Sequence, residues 1–462
     1  MAPITKPHVA ILSFPFGTHA TPLLFLSLNL ASSAPHVSFS FFGTPKSNAS
    51  LPSISSSWPT ISNLKIYDVG DGVPEGYVFK GKPQEDIELY LSAVPGNYEE
   101  AMEEAVRREN SNVSCIVGDS FLWFAVQMAE KLEVPWVSFW TSGACSLSAH
   151  FYTDLIRRTI STVPEEVSPR MGEALTFVPG FSNFRVSDLP EGIVFGRLTS
   201  PFSELLHRMG QELPRAAAVV INTVEGLDPT TVLDDLRASF QKCLPVGPVS
   251  LLNMTRPDSE PEPDPHSCIS WLDSFADSPA SVAYVSFGTV MSPPPSELAE
   301  LAEGLEASGA HFLWSLRDKH RESLPAGFLD RTNGRGLVVP WAPQTRLLGH
   351  VAVGAFVTHC GWNSLIESAV AGVPMICRPF FGDQRINGRM LSDVLGVAIR
   401  VEGGALTREI VTDGLDLLLR RPEGKKIREK AQSLKALTLN AVSETGSSTN
   451  NLKTVLEIIT RG

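Results

Sequence analysis

The sequence predicts an α/β protein made of two doubly wound domains that face each other across a cleft. The chain has 462 residues, more than one ordinary hydrophobic core accommodates. In both halves, short apolar runs rich in β-branched and aromatic residues alternate with helical patterns. A stretch rich in proline and acidic residues, 246–266, separates the two series and has the composition of a linker. We therefore expect one domain at 1–245 and a second at 267–440.

The first half begins with a strand–helix–strand unit. An apolar run at 8–15 is followed by a helical pattern at 19–34 and by a β-rich run at 36–43. Apolar strands of this kind predict a parallel sheet covered on both faces. Further strands are predicted at 64–69, 114–119, 135–140 and 217–223, the last of which closes the half, with helices at 85–108, 121–131 and 142–158.

The second half repeats the alternation after the linker. Its strands are predicted at 281–287, 312–316, 336–340, 354–359, 374–378 and 397–401, with helices between and after them. Doubly wound sheets bind their ligands at the carboxyl ends of the strands. Two such domains therefore predict a ligand site in the cleft between them.

The net charge of −12 argues against broad binding to nucleic acid or to an acidic membrane surface. No apolar run approaches the length of a membrane span, and the N-terminus lacks the pattern of a secretion signal. The six cysteines are scattered without a C-x-x-C pair, as is typical of free thiols in a reducing compartment. We expect a cytoplasmic protein, and a monomer.

Two other kinds of site, a dinucleotide or ATP site and an esterase site, have weaker support in the sequence. No G-x-G-x-x-G follows a predicted strand, and the G-x-x-x-x-G-K spacing at 76–82 is followed by Pro83 where Mg²⁺ binding needs Ser or Thr. Ser120 follows a strand directly and suits an esterase nucleophile, but no G-x-S-x-G elbow is present. Serine also commonly caps a helix. A Ser120 esterase stays as a distant alternative.

The segment 341–384 carries several groups suited to a nucleotide sugar. His359 ends a buried strand, and Gly361 opens the helix that follows, whose free N–H groups form an anion site. Glu367, one turn into that helix, suits ribose hydroxyls. Asp383 and Gln384, after the next strand, offer the hydrogen-bonding atoms that a polyol needs. Trp341, at the start of the segment, offers a flat face to a base.

This 341–384 segment also resembles, over its whole length, the donor-binding box of the plant UDP-dependent glycosyltransferases. The resemblance covers the entire chain and is strongest to flavonoid and anthocyanidin 3-O-glucosyltransferases, through FPFGTHATPLL, DGVPEGYV and SPFSELLHRMG. It implies the GT-B fold, with two Rossmann-like domains. It also implies that a last helix, 441–462, crosses back to the N-terminal domain.

The resemblance assigns a role to each position of the donor site. Trp341 would stack on uracil, Ala342 and Gln344 would hold the base and the ribose edge, and Glu367 would bind the ribose. The phosphates, the sugar and a second phosphate loop account for the remaining donor residues: His359, Trp362, Asn363, Ser364, Asp383, Gln384, Ser286 and Thr289. Gln384, where galactose users tend to carry His, points to UDP-glucose, and UDP-galactose or another UDP-sugar stays as the alternative.

Transfer to a phenolic hydroxyl needs a base, and His19 lies just past the first strand. A neutral imidazole suits that task, although His19 also has the position of a helix cap. Asp119, at the tip of another strand of the same sheet, can orient the imidazole and stabilise its cation. In the resembled family a His–Asp pair at matching positions has these roles. Backside attack predicts inversion, which gives a β-glucoside from an α-linked donor.

The acceptor is expected to be a planar phenolic compound, such as a flavonoid, that binds to the first domain against aromatic side chains. Thr141, which follows a strand, should reach the donor sugar, and its neutral side chain offers no cation for a uronic acid. No acidic metal-binding cluster appears, so neither a metal nor a cofactor is expected. A non-catalytic binding protein for the same ligands is a further alternative. Relatives carry acceptor contacts at positions matching Thr18, Gln84, Phe121, His150 and Phe202.

Overall fold

The computed structural model describes residues 6–52, 61–82, 84–252 and 263–461. The described chain divides into two compact units. The first unit comprises 6–182, 191–252 and 440–461, and the second comprises 183–190 and 263–439. Residues 253–262 of the predicted linker lie outside the described residues.

Within its described residues, the first unit contains a seven-stranded parallel sheet with the order β3-β2-β1-β4-β5-β6-β7. The strands are β1 (His8–Leu12), β2 (Ser38–Gly43), β3 (Leu64–Asp68), β4 (Cys115–Asp119), β5 (Trp136–Trp140), β6 (Ala218–Ile221) and β7 (Cys243–Pro245). The prediction that the strand at 217–223 is the last of this half is wrong, because β7 pairs with β6 beyond it. With only three residues, β7 leaves almost no alternation to detect.

The helices of the first unit follow the predicted rhythm, with breaks that the sequence pattern concealed. The helix expected at 85–108 is two helices, because Val94 precedes Pro95 and adopts an extended backbone that ends the first. These helices are α1 (Ala20–Ser33), α2 (Pro45–Ala49), α3 (Glu85–Ala93), α4 (Gly96–Glu109), α5 (Ala125–Leu132), α6 (Ala144–Phe151), α7 (Thr153–Ile160), α8 (Pro164–Val167), α9 (Pro201–Glu212) and α10 (Thr230–Ser239). Short 3-10 turns occur at Ser168–Arg170 and Leu213–Arg215.

The second unit contains, in the part that the structure describes, a six-stranded parallel sheet with the order β10-β9-β8-β11-β12-β13. Its strands are β8 (Val282–Ser286), β9 (His311–Ser315), β10 (Gly336–Val339), β11 (Val353–Thr358), β12 (Met375–Cys377) and β13 (Ala398–Arg400). Its helices are α11 (Cys268–Asp273), α12 (Pro295–Ser308), α13 (Phe328–Arg331), α14 (Gln344–Leu348), α15 (Trp362–Ala371), α16 (Gln384–Arg389), α17 (Arg408–Leu419) and α18 (Pro422–Ala441). Shorter turns are the 3-10 turns Val186–Asp188, Asp318–Ser323 and Glu402–Gly404 and the π-helical turn Met390–Val394.

Each sheet is covered on both faces, as its continuous apolar strands require. Every residue of β1, β4 and β5 is buried, and so is every residue of β8 and β11. The last helix, α19 (Ser447–Thr460), contributes Leu452, Val455 and Ile459 to the core of the first unit. Among the described helices, none combines the length and apolarity that crossing a membrane requires.

The segment 183–190 belongs to the second unit although residues of the first unit flank it on both sides. Its Asp188 is buried and accepts hydrogen bonds from the guanidinium of Arg389. No sequence pattern indicates this pairing, since the two residues lie 201 positions apart.

Candidate active site

A histidine–aspartate pair lies at the carboxyl edge of the first sheet. Nδ1 of His19 is 2.8 Å from Oδ2 of Asp119, and the carboxylate is almost fully buried whereas the imidazole is 19% exposed. The other carboxylate oxygen, Oδ1, accepts the backbone N–H of Phe121 at 2.9 Å. The carboxylate is therefore fixed at both oxygens, and it holds the imidazole in one orientation.

Strand pairing explains how residues 100 positions apart meet. β1 and β4 are neighbours, with Leu12 paired to Gly118, so the loops that follow both strands leave the sheet side by side. His19 is the residue before α1, but its side chain makes no capping hydrogen bond. The imidazole is therefore available for chemistry, and the helix-cap interpretation does not account for it.

Aromatic rings surround the pair. The ring centroid of Phe121 is 4.3 Å from that of His19, and Phe202 contacts Phe121 at 5.6 Å. Trp140 links Phe121 to His150, which is buried, and desolvation lowers the pKa of His150 to about 4. Three of the predicted acceptor residues thus form one connected cluster with His19.

The other two predicted acceptor residues are placed differently. Thr18 is exposed beside His19. Gln84 precedes α3 with a left-handed backbone (φ 64°), and no ring contact or hydrogen bond described for its side chain joins it to the aromatic cluster. Thr141, predicted to reach the donor sugar, has its Oγ1 3.3 Å from Nδ1 of His19.

Ser120 does not have the surroundings of a nucleophile. Its side chain is fully buried, and its Oγ is 2.7 Å from Oγ of Ser138. It also does not cap the following helix, because α5 begins at Ala125 after Phe124. The distant esterase alternative therefore has no exposed hydroxyl at this position.

In the second unit, His359 follows β11 and lies between two glycine loops. A Cβ on Gly361 would overlap Nε2 of His359, and a Cβ on Gly288, where φ is 72°, would lie 2.9 Å from Cε1. Among the described residues, Nδ1 of His359 is buried without a hydrogen-bond partner, and desolvation lowers the pKa of the imidazole to about 4. The imidazole therefore carries no charge at neutral pH, and its ring nitrogens are able to act as hydrogen-bonding groups.

The phosphate-binding residues predicted from the sequence collect at the edge where β8 and β11 end. Thr358 pairs with Ser286, so the loop with the exposed Thr289 starts beside His359. Gly361 precedes α15, whose first residues are Trp362, Asn363 and Ser364. The first N–H groups of a ten-residue helix therefore open at this edge, where they favour an anion.

A hydrogen-bonded group joins the predicted base and ribose contacts. Nε2 of Gln344 donates to Oγ of Ser364 at 3.0 Å and to Oε2 of Glu367 at 2.6 Å. Its Oε1 accepts from the hydroxyl of Tyr284 at 3.2 Å, a residue that the sequence analysis missed. Trp341 is 42% exposed, which leaves a ring face open for stacking, whereas Ala342 is buried.

The predicted sugar-binding turn follows β12. Gln384 is buried, and its Oε1 accepts the backbone N–H groups of Phe380 at 2.8 Å and Phe381 at 3.3 Å. Asp383 directly precedes α16. Asn387 in α16 donates to the carbonyl of Cys360 at 3.0 Å and so connects this helix to the edge where β8 and β11 end. Nothing in the sequence suggested this contact.

Within the part of the chain that the structure describes, no three His, Cys, Asp or Glu side chains cluster closely enough to hold a metal ion. The groups brought together are a buried carboxylate–imidazole pair in one unit and, in the other, neutral donors with a helix N-terminus. An imidazole held by a carboxylate is able to accept a proton, and a helix N-terminus favours an anion.

Known proteins of the same two-sheet fold are similar to this chain over nearly its whole length. The family model described as UDP-glucoronosyl and UDP-glucosyl transferase matches residues 84–435. The chain is 50% identical to a flavonol 3-O-glucosyltransferase of Arabidopsis thaliana, covering 99% of this chain and 98% of the relative. It is 47% identical to an anthocyanidin 3-O-galactosyltransferase of Rhododendron delavayi, covering 98% and 97%. It also matches the crystal structure of a UDP-glucose: anthocyanidin 3-O-glucosyltransferase in complex with UDP, with a TM-score of 0.90 and 42% identity over 99% of both chains.

Proposed function

Because the chain belongs to the UDP-glucoronosyl and UDP-glucosyl transferase family, we propose that it transfers glucose from UDP-glucose to a flavonoid hydroxyl with inversion. The expected acceptor is a flavonol or an anthocyanidin, and the expected position is its 3-hydroxyl. The observation that supports this proposal most directly is the 2.8 Å contact between Nδ1 of His19 and Oδ2 of Asp119, beside an aromatic cluster.

In the proposed reaction His19 is the general base. The acceptor hydroxyl gives its proton to Nε2 as its oxygen attacks the anomeric carbon of glucose, and the bond from that carbon to the diphosphate breaks. Asp119 stabilises the imidazolium that forms, because its carboxylate faces Nδ1. The products are a β-glucoside, UDP and a proton that His19 later releases.

Departure of UDP needs stabilisation of negative charge on the diphosphate. The N-terminus of α15 and the donors beside it, which include His359 and Thr289, would supply it in this proposal. We therefore propose that the enzyme needs neither a metal nor a cofactor. We further propose that it works as a monomer in the cytoplasm, which suits the six free cysteines, all of them buried.

UDP-galactose is the second candidate donor. The 47% identity to a galactosyltransferase is close to the 50% identity to a glucosyltransferase, so overall similarity discriminates weakly between the two sugars. Gln384 is the residue proposed to favour glucose. Its carbonyl oxygen is bonded to backbone N–H groups, so the amide nitrogen is the part of the side chain that would donate to a sugar hydroxyl.

The test is product formation from UDP-glucose and quercetin in EDTA, with wild type, His19→Ala and Ser120→Ala. We expect a β-glucoside from wild type and from Ser120→Ala, and a loss of about 10²–10⁴-fold in His19→Ala, the range typical of a general base. UDP should bind to all three proteins. No glucoside from wild type, with UDP-galactose and a panel of small phenols also tested, would contradict the proposal and reopen the esterase and binding-protein alternatives.

A further inference from the structure

The residues proposed to hold the donor sugar, Asp383 and Gln384, lie in a turn at 379–384, called here the sugar turn. A buried ion pair anchors the end of this turn that follows β12. Arg378 donates from Nε and from a terminal nitrogen to the two carboxylate oxygens of Glu297, at 2.6 and 2.5 Å. Its guanidinium also lies over the ring of Phe380, 4.0 Å from the centroid. The start of the sugar turn is therefore fixed to α12.

The other side of the turn continues into α16, which begins at Gln384 and ends at Arg389. Arg389 donates from Nε to Oδ2 of Asp188 at 2.8 Å and from a terminal nitrogen to Oδ1 at 3.2 Å. Both residues are buried, at 6% and 1% exposure. A bidentate pair of this kind fixes both the distance and the orientation of the two groups.

Asp188 is itself held in place. Its Oδ2 also accepts the backbone N–H of Arg185 at 2.9 Å, within the segment 183–190. Between Arg389 and the sugar turn lies a single short helix of six residues, about 9 Å long at 1.5 Å per residue. Because Gln384 at its first position is bonded back to Phe380 and Phe381, a displacement of Arg389 moves the turn with it.

We propose that Asp188 is a positioning residue for donor-sugar recognition: it holds Arg389 and, through α16, sets the position of Asp383 and Gln384. The inference rests on the proposed role of these two residues in binding the sugar. The groups proposed for uracil and ribose belong instead to α14 and α15 and the residues before them. Loss of the pair therefore weakens recognition of the sugar more than recognition of UDP, whose proposed site α16 contacts through the bond from Asn387 to the carbonyl of Cys360.

The charges explain why the carboxylate is needed. Besides Asp188, Arg389 pairs with Asp393 at 2.8 Å, whose side chain is 41% exposed. Without the carboxylate of Asp188, the buried guanidinium keeps only this outer partner and turns toward it, because an unpaired buried charge is strongly unfavourable. The end of α16 follows that movement.

The test compares Asp188→Asn with Glu402→Gln. Glu402 is the matched control because it pairs with Arg400, which lies 3.9 Å from Asp188, but is 78% exposed. For Asp188→Asn we expect the KM for UDP-glucose to rise at least tenfold, the Kd for UDP to rise by a clearly smaller factor, and the preference for UDP-glucose over UDP-galactose to fall. Glu402→Gln should change each quantity less than twofold. Asp188→Glu, which keeps a carboxylate, should retain part of the sugar preference that Asp188→Asn loses.

A purely structural role predicts a different result. If Asp188→Asn lowers the melting temperature or the active fraction but leaves the KM for UDP-glucose and the sugar preference unchanged, the inference is wrong. Should this variant not fold, the double variant Asp188→Asn/Arg389→Met removes both buried charges, and a wild-type KM in that protein would likewise overturn it. Failure of the proposed function is distinguishable, since wild type itself would then transfer no sugar.

Discussion

At the scale of single residues, the active-site proposal depends on which nitrogen of His19 faces which neighbour. Nδ1 lies 2.8 Å from Asp119 and 3.3 Å from Thr141, so Nε2 is the atom available to an acceptor hydroxyl. A carboxylate at Nδ1 selects the tautomer with the proton on that nitrogen, which leaves Nε2 as an acceptor. The role of Asp119 can therefore be tested without removing the imidazole.

Asp119→Asn keeps the shape of the side chain and should reverse that tautomer. The backbone N–H of Phe121 already occupies Oδ1, so the remaining amide nitrogen would donate to Nδ1 of His19 and leave the proton on Nε2. We expect kcat with quercetin to fall about 10²–10⁴-fold, as for loss of a general base, with little change in the melting temperature. Activity of this variant should rise at alkaline pH, where the phenol ionises unaided. A variant with more than a tenth of wild-type kcat at neutral pH would contradict the proposed role.

At the scale of elements, the connection from β11 to α15 is shaped around His359. Cys360 adopts a left-handed backbone (φ 63°), which is uncommon for a residue with a side chain, and the carbonyl of Cys360 is bonded to Asn387. This conformation brings Gly361 against the imidazole so closely that no Cβ fits there. The glycine is therefore required by contact with His359 and not by its own backbone, whose φ of −61° suits any residue.

Gly361→Ala should consequently displace His359 without straining the backbone. We expect the Kd for UDP, measured by calorimetry, to rise at least tenfold, because the imidazole and the helix N-terminus would no longer converge on the diphosphate. Gly349→Ala is the matched control in the same unit, since its Cβ would lie 3.5 Å from the nearest atom and its φ is −72°. Equal affinities in the two variants would mean that the position of His359 does not matter for UDP.

The sequence predicted the elements that matter because strand ends carry a local signal. Asp119 ends β4, His359 directly follows β11, and His19 lies in the loop that follows β1, and the carboxyl ends of parallel strands share one edge of a sheet. The pairing of Asp188 with Arg389 was not predictable, because an ion pair 201 positions apart leaves no periodic pattern. The orientation of Gln384 was also hidden, since it depends on two N–H groups of a turn that forms only in the folded chain.

At the scale of the whole molecule, each unit of the GT-B architecture contains a histidine whose pKa is strongly lowered by burial. His150 lies in the first unit and His359 in the second, and burial lowers the pKa of each to about 4. The folded state therefore resists protonation of these groups, whereas the unfolded chain takes up a proton near its ordinary pKa of about 6.5. Both units share this sensitivity to acid.

The sign of the effect follows from that difference. As pH falls from about 6.5 to about 4, the unfolded state binds protons first, so the free energy of unfolding decreases through this window and levels off below it. For His150 the expected loss is about 3 kcal/mol, from about 1.4 kcal/mol per pKa unit. His150→Phe keeps a buried ring without a proton site, and urea unfolding at several pH values should show a slope shallower by about one proton than wild type. His36→Gln, at an exposed position, is the control. Saturating UDP should also reduce the slope, because a diphosphate beside His359 favours the protonated form of its imidazole. An unchanged slope in His150→Phe would show that another group governs the acid sensitivity.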